Sequence, residues 1–184
     1  MLDPASDQAP TLPDAHTPGT SSSIAQPVIR RAAGSEDLDW VAQAHGELYS
    51  AEFGFNSEME ALVTRILSDY RNGLASATEA MWLAELNGRR VGSIGCMRVS
   101  QDIARLRVLL IDPLVRGQRL GRRLVDTCVA FARDVGYRQI VLTTSEQQGA
   151  AIRIYLQAGF RLTGAIPTRR FSVDLVEQEY VLDL

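Results

Sequence analysis

The alternation of apolar and polar positions from Val28 onward predicts strands and helices in a mixed order. A short strand, VIRRAA, comes first. Residues 38–53 and the segment after Asn56-Ser57 then carry apolar side chains at helical spacing, which predicts two amphipathic helices. The runs MWLAEL and VGSIGCMRV flank Asn87-Gly88. Because both of these residues accept positive φ, the pattern predicts a β-hairpin.

The second half of the chain alternates strands with helices. LRVLLID and QIVLTT are predicted strands, and residues 119–136 form an amphipathic helix that ends at Gly136. A short helix over residues 149–159 and two strands, FRLTGA and DLVEQEYVLDL, complete the chain. The order β, α, α, β, β, β, α, β, α, β, β predicts an α+β, or mixed α/β, domain around one central mixed sheet.

The first 27 residues differ from the rest in composition. They hold five of the seven prolines and a Thr/Ser run at positions 20–23. Because such a segment buries little apolar surface, we predict a disordered tail at 1–27 and one folded domain at 28–184. The start MLDPASDQAP lacks the basic residues and apolar core of a secretory signal, so we expect a cytoplasmic protein.

Composition excludes several classes of function. A net charge of -3 argues against a dedicated nucleic-acid binder, and no apolar run approaches the roughly 20 residues that span a bilayer. We therefore expect neither nucleic acid nor membrane as a partner. Cys96 and Cys128 occur without a CxxC pair or clustered histidines, so the sequence indicates no metal site and no disulfide framework.

Positive charge gathers at the corner between the strand LRVLLID and the helix that follows. Residues 115–125, VRGQRLGRRLV, hold four arginines and two glycines. Cations are unfavourable at a helix N-terminus unless an anion balances them, and glycine lets a backbone approach a ligand closely. The corner is therefore either a solvated helix start or a site for a phosphate. The absence of GxxxxGK[ST] and GxGxxG argues against the common ATP and dinucleotide sites.

Two motifs in this order resemble the acetyl-CoA signature of GNAT-type N-acetyltransferases. Residues 116–121, RGQRLG, are similar to [QR]xxGx[GA], and residues 155–160, YLQAGF, to the Tyr-x-x-x-Gly-Phe segment. Two positions depart from the family pattern: Arg119 replaces the central glycine, and Gln148 replaces a frequent asparagine. The similarity covers residues 28–184.

Within that family, segments such as WLAELNGRRVGSI and DLVEQEYVLDL resemble the acetyltransferase half of MarR–GNAT fusion proteins. The N-terminal tail is too short and too polar for the winged-helix half, so we expect no DNA-binding role.

The resemblance implies a GNAT-like fold, a mostly antiparallel sheet of about seven strands flanked by about four helices, and acetyl-CoA as co-substrate. The pantetheine arm would lie along the strand LRVLLID and the pyrophosphate on the loop after it. The implied binding residues are Leu109, Leu110, Ile111, Arg116, Gly117, Gln118, Arg119, Leu120, Gly121, Arg122, Gln148 and Ala151.

The resemblance also implies the catalytic groups. Tyr155 matches the family's general acid, and a phenol with a pKa near 10 stays protonated at neutral pH. The backbone N–H near Leu110 would stabilise the oxyanion. Glu47, Glu52 and Glu85 are candidates for the base or for attracting a cationic amine, and a water relay is the alternative.

The leading hypothesis is therefore an N-acetyltransferase whose acceptor is a small amine, an amino acid, an aminoglycoside or a protein lysine. A non-catalytic acyl-CoA-binding regulatory module is the alternative, and another kind of nucleotide-binding domain is a third possibility. The sequence leaves a monomer and a homodimer equally open.

Overall fold

The computed structural model describes residues 25–72 and 76–184. Most of the predicted disordered tail, residues 1–24, lies outside the described residues. Pro27, which the prediction assigned to the tail, is buried, and its carbonyl oxygen accepts a hydrogen bond from Arg123 Nη1 at 2.9 Å. No helix in the described part of the chain is long and apolar enough to cross a membrane.

Seven strands and four α-helices form in the described residues, which confirms the predicted order. A short 3₁₀ helix, Pro113–Val115, follows the fourth strand. The strands are β1 (Val28–Arg31), β2 (Ala80–Leu86), β3 (Arg89–Arg98), β4 (Ile103–Ile111), β5 (Gln139–Ser145), β6 (Arg161–Arg170) and β7 (Val173–Asp183); the helices are α1 (Gly34–Phe53), α2 (Glu58–Asn72), α3 (Leu120–Val135) and α4 (Gly149–Gln157).

The seven strands form one sheet in the order β1-β2-β3-β4-β5-β7-β6. Every neighbouring pair is antiparallel except β4 and β5, which confirms the mixed and mostly antiparallel sheet. The parallel pairing covers only Ile103–Arg105 against Gln139–Val141. Beyond Arg105 the two strands separate, and β4 continues to Ile111 without a β5 partner. This opening positions the site described below.

Different helices cover the two faces of the sheet, because side chains of successive strand residues point to opposite faces. Ile94, Leu124 and Ile140 are fully buried in a cluster formed by α3 and one face. Val41 and Leu83 are fully buried in a second cluster, which α1 and α2 form with the other face. Cys96 and Cys128 are free thiols within the first cluster.

Strand β6 extends further than the sequence pattern predicts. The predicted segment FRLTGA ends at Ala165, whereas β6 continues through Pro167 to Arg170. Proline lacks an N–H to donate to a neighbouring strand, so it is tolerated mainly in edge strands. Because β6 is the last strand of the sheet, Pro167 does not interrupt pairing with β7.

A buried carboxylate joins the first strand, the first helix and the β2–β3 hairpin. Asp37 is 2% exposed and accepts hydrogen bonds from Arg30 Nη1 at 2.6 Å, Arg90 Nε at 2.8 Å and the Ala33 N–H at 2.7 Å. The hydrogen bond from Arg30 is the largest cause that holds the pKa of Asp37 well below its ordinary value. Arg30 also donates to Glu85 Oε1 at 2.7 Å.

His45 is expected to make the fold sensitive to acid. The ring is 2% exposed; Nδ1–H donates to the Val41 carbonyl oxygen at 2.8 Å, and Nε2 is buried without a partner in the described residues. Burial lowers the pKa of His45 to about 4 from 6.5. Folding therefore favours neutral histidine, so its contribution to stability is complete above pH 6.5 and is lost as the pH falls toward 4.

Between pH 8 and pH 5, this titration is expected to reduce the free energy of unfolding by about 2 kcal/mol. Urea denaturation of the wild type and of His45→Leu at both pH values measures the difference. The variant lacks the titrating ring, so its free energy of unfolding should fall by about 2 kcal/mol less than that of the wild type between pH 8 and pH 5. Equal losses in the two proteins would contradict the prediction.

Candidate functional site

A cavity of about 610 Å³ lies where β4 and β5 separate, which we call the β4–α4 cavity. Its walls come from α1, β4, the loop of residues 112–119, α3 and α4 with the two residues before it. From the predicted cofactor-binding set, it is lined by Leu109, Leu110, Ile111, Arg116, Gly117, Arg119, Leu120, Gly121, Arg122, Gln148 and Ala151. Gln118, the remaining member of that set, is not in the lining. Arg153, which the sequence pattern did not single out, also lines the cavity.

Two helices begin at this cavity with unpaired backbone donors. Neither α3 nor α4 has a side-chain cap at its N-terminus, and neither has an acidic residue in its first turn. The first N–H groups of a helix have no partner within the helix, and the helix dipole favours an anion there. Both ends line one cavity, so together they form an electropositive cradle suited to phosphate groups.

Gly121 allows α3 to approach α4 and β4 closely. A Cβ atom at this position would lie 2.6 Å from Ile154 Cδ1 and 3.6 Å from Ile111 Cγ1. Any larger residue would have to displace the Ile154 side chain, which itself lines the cavity. Gly117 has a different role. Its φ of +81° favours glycine, and nothing lies within 4 Å of an added Cβ atom.

Arg119 adopts the backbone conformation that glycine would favour. Its φ is +59° and its ψ is 13°, so the residue replacing the motif glycine is left-handed at the N-cap of α3. For a residue with a Cβ this conformation costs about 1 kcal/mol. The loop therefore keeps its path, and a guanidinium is added beside the helix N-terminus.

Comparing Arg119→Gly with Arg119→Ala is expected to separate the backbone effect from the charge. Alanine retains the left-handed strain, whereas glycine relieves it, so the glycine variant should be more stable by up to about 1 kcal/mol. Both variants lack the guanidinium and should bind a CoA ligand about tenfold more weakly. Chemical denaturation and calorimetry measure the two effects. Equal stability of both variants would mean that the backbone at this position is unstrained.

Arg116 is held by Glu52 across the cavity. Nη1 and Nη2 of Arg116 lie 2.7 Å and 3.0 Å from the two carboxylate oxygens of Glu52, a bidentate pair. Both residues line the cavity. This ion pair connects α1 to the 112–119 loop. Because the charge of Glu52 is already balanced by Arg116, Glu52 is poorly suited to act as a base.

The other arginines of the corner differ in their partners. Arg122 donates to Asp126 at 2.7 Å and to the Gln157 carbonyl oxygen at 3.0 Å, and Arg123 donates to Pro27 as described. Arg119 makes no ion pair or side-chain hydrogen bond with any described residue. The charge at this corner is therefore partly neutralised by the fold. Arg119, and Arg153 of α4 in the same cavity lining, have no side-chain partner among the described residues and are available to an anionic ligand.

Strand β4 contains a bulge beside the cavity. Ser93 pairs with Leu110 and Gly95 with Arg107, so β4 has one more residue than β3 between these pairs. Val108 takes up the irregularity with a φ of +50°, and Ser93 Oγ donates to its carbonyl oxygen at 2.7 Å. The bulge changes the direction of the backbone groups of Leu109 and Leu110 at the cavity wall.

Tyr49 is a cavity residue that sequence reasoning missed. Its hydroxyl lies 3.4 Å from the Leu109 carbonyl oxygen and 3.3 Å from Gln148 Oε1, and it donates its one proton to either acceptor. Burial raises its pKa. The spacing of His45, Tyr49 and Phe53 marks one face of α1. That pattern carries no information about which strand, about 60 residues away in sequence, the face will contact.

Tyr155 lies behind the cavity wall. It follows Ala151 by one turn on the same face of α4, is 5% exposed, and packs against Phe160 and Tyr180 with ring centroids 5.8 Å and 6.5 Å away. It does not itself line the cavity. Burial is the main cause that raises its pKa, so the phenol is protonated at neutral pH.

The remaining predicted acids lie elsewhere. Glu47 is exposed, accepts from Gln43 Nε2 at 2.7 Å and lines a second cavity of about 610 Å³ between α1 and the β2–β3 hairpin. The two cavities share Leu48 and Leu110. Glu85 lines neither; its hydrogen bond from Arg30 lowers its pKa and gives it a structural role.

Comparison with known sequences points to one family. A sequence model of the Acetyltransferase (GNAT) family matches residues 42–160, more than half of the chain. N-acetyltransferase 8B of Homo sapiens is 35% identical over 109 residues, which cover 56% of this chain and 48% of that protein. N-acetyltransferase 8 of Rattus norvegicus is 32% identical over 114 residues, covering 59% and 48%. The chain therefore spans about half the length of the curated relatives it matches.

Solved structures share the fold. A Salmonella typhimurium protein solved with its cofactor acetyl-CoA has a TM-score of 0.70 at 21% identity, covering 86% of this chain and 94% of that one. An acetyltransferase from Streptococcus agalactiae has a TM-score of 0.68 at 24% identity, covering 86% and 98%.

Proposed function

Because the chain belongs to the Acetyltransferase (GNAT) family, we propose that it transfers the acetyl group of acetyl-CoA to a primary amine by direct attack. The observation that carries this proposal is the β4–α4 cavity. Two uncapped helix N-termini, a glycine-containing loop and the unpaired edge of β4 meet there. The names of the curated relatives and the acetyl-CoA of the Salmonella protein support it.

Three finer parts of the proposal rest on the sequence alone. A closer relation to the acetyltransferase half of MarR–GNAT fusion proteins rests on the quoted segments. A cytoplasmic location and a monomeric or homodimeric state remain proposals of the same kind.

The residues present fit a CoA ligand. The N–H groups at the start of α3 and the Arg119 guanidinium would bind the pyrophosphate. Gly117 would keep the loop backbone accessible, and Gly121 lets α3 pack closely against α4. The edge of β4 at Leu109–Ile111 would pair with the amide groups of the pantetheine arm. Such pairing resembles the addition of an extended strand to an open sheet edge, in which main-chain hydrogen bonds supply affinity.

The proposed catalytic roles are those that the family resemblance implies, with Tyr155 one turn beyond the cavity residue Ala151. The neutral amine attacks the thioester carbonyl, a C–N bond forms, and the C–S bond breaks. A backbone N–H of β4 near Leu110 donates to the developing oxyanion, as preorganised donors do in other acyl transfers. Tyr155 donates a proton to the departing sulfur, and the proton released by the amine leaves through water, since Glu52 and Glu85 are paired with arginines.

Thermal denaturation with acetyl-CoA, CoA, ATP and NAD tests the choice of ligand. Acetyl-CoA at 100 times its Kd should stabilise the fold by about 2.7 kcal/mol, with ATP and NAD giving much less. Thiol release in a panel of amines then tests catalysis. Stabilisation by acetyl-CoA without thiol release from any amine would favour a non-catalytic acyl-CoA-binding module.

A further inference from the structure

Two arginines lie side by side on the face of β4 that α1 and α2 cover. Arg105 pairs with Met97 of β3, and Met97 belongs to the buried cluster of that face. Arg107 is two residues further along the strand and therefore points to the same side. Both side chains are partly buried.

Neither arginine forms an ion pair with any described residue. No carboxylate oxygen lies within 4.0 Å of Arg105 or Arg107, whereas Arg30, Arg90, Arg116 and Arg170 all form ion pairs. Arg105 Nε is buried without a hydrogen-bond acceptor in this part of the chain. Partly buried polar groups are ordinarily paired, so these unused donors point to a ligand.

The charges around Arg107 also indicate an anionic ligand. Burial and the charge of Arg105 lower its pKa, and Asp69 of α2 only partly opposes the effect. Two adjacent cations in a partly desolvated position are unfavourable unless an anion lies between or beside them.

Ser145 adds an unused donor on the other side of the opening. Arg105 pairs with Val141 of β5, and alternation along β5 places Ser145 on the same face as Val141. The Ser145 hydroxyl is buried and has no partner among the described residues. Unsatisfied donors therefore lie on both strands that border the opening.

The position of the pair relative to the β4–α4 cavity indicates which part of a substrate would meet it. The loop that would bind pyrophosphate follows the C-terminal end of β4, so a thioester would lie near Leu109 and Leu110. Arg107 precedes Leu110 by three residues, about 10 Å along a strand. Neither arginine lines this cavity or the one between α1 and the β2–β3 hairpin. An acceptor that lies along the α1/α2 face of β4, on the side of the bulge away from the loop, would pass the two arginines.

We propose that the acceptor is an amine that also carries a carboxylate, and that this carboxylate binds Arg105 and Arg107 while the amine reaches Leu110. The inference rests on the proposed acetyl transfer and narrows its acceptor to an amino-acid-like class. Arg105 and Arg107 are then specificity-determining residues.

A panel of L-amino acids, each compared with its own carboxamide, tests the proposal. We expect kcat/KM, corrected for the fraction of neutral amine, to be at least about 30-fold higher for the amino acid than for its carboxamide. The carboxamide lacks the negative charge that would pair with the arginines, and removing one partner of such a pair has an effect of this size. Arg107→Gln should remove most of that preference by lowering the value for the acid alone. Arg98→Gln, at an exposed position near the end of β3, is the matched control and should leave the preference unchanged.

A binding measurement tests the acceptor class independently of acetyl transfer. Calorimetry of N-acetylated amino acids and their amides should show tighter binding of the acids to the wild type, with the difference lost in Arg107→Gln. Thermal denaturation should find Arg107→Gln as stable as the wild type, because it removes an unbalanced charge. Equal use and equal binding of acids and amides would overturn the acceptor class while leaving acetyl transfer intact. Failure of acetyl-CoA to bind would instead refute the function.

Discussion

Replacing Tyr155 by phenylalanine is expected to lower kcat by about 100-fold while the Kd for acetyl-CoA changes less than about twofold. The hydroxyl is the proposed proton donor to the leaving sulfur, and positioned acids typically contribute at least this factor. The ring, which packs against Phe160 and Tyr180, is retained by the variant, so the core remains filled. Steady-state thiol release gives kcat, and calorimetry gives the Kd.

Tyr49→Phe is the matched comparison, because this second phenol lines the cavity and also has a raised pKa. Its hydroxyl contacts the Leu109 carbonyl and Gln148, at the edge proposed to hold the pantetheine arm. We therefore expect a several-fold higher KM for acetyl-CoA and a kcat within about tenfold of the wild type. The reverse pattern, with Tyr49→Phe losing kcat and Tyr155→Phe retaining it, would make Tyr49 the donor and Tyr155 a core residue.

Replacing Asp37 by alanine is expected to reduce the free energy of unfolding by about 3 kcal/mol. The change leaves the Ala33 N–H without its acceptor and removes the carboxylate shared by Arg30 and Arg90. Breaking a buried ion pair by deleting one partner costs about 3–5 kcal/mol, and we take the lower end because both arginines are about one-third exposed. For a domain of this size, the melting temperature should fall by about 6–12 °C.

Asp39→Ala provides the control for that measurement. Asp39 lies on the same helix, but its side chain is 72% exposed and its contact with Arg71 is 3.5 Å long. Exposed pairs of this kind contribute little, so the melting temperature should change by no more than about 2 °C. A similar loss in both variants would mean that the helix, and not the ion network, is sensitive to these substitutions.

Much of the fold was predictable because it depends on local patterns. The stripe of α2 contains Met59, Val63 and Leu67, all buried in the structure. Asn87 and Gly88 take φ values of 51° and 77° at the predicted hairpin. The loop motif predicts its own backbone as well, since Gly117 and the substituted Arg119 both adopt left-handed conformations. These features are set by residues close together in the chain.

The partners of the site residues were not predictable in the same way. Glu52 and Arg116 are 64 positions apart, and Tyr49 and Gln148 are 99 apart. No periodicity in α1 specifies which loop or strand its face will meet, because that contact depends on how the whole sheet is ordered. The sequence therefore could not distinguish the candidate acids Glu52 and Glu85 from unpaired carboxylates. Their contacts in the structure show that each forms an ion pair with an arginine.

The sequence by itself determined the element order, the hairpin turn, the anion-suited corner and the family, because periodicity and short motifs encode them locally. Only the tertiary structure decided where β4 and β5 separate. It alone also shows which of the corner's arginines have no ion-pair partner within residues 25–72 and 76–184, and that Arg105 and Arg107, on one face of β4, have none there either. These properties arise from strand register and from the packing of distant segments. Hydrogen bonds and ion pairs act over a few ångströms in space, whatever the separation of the residues along the chain.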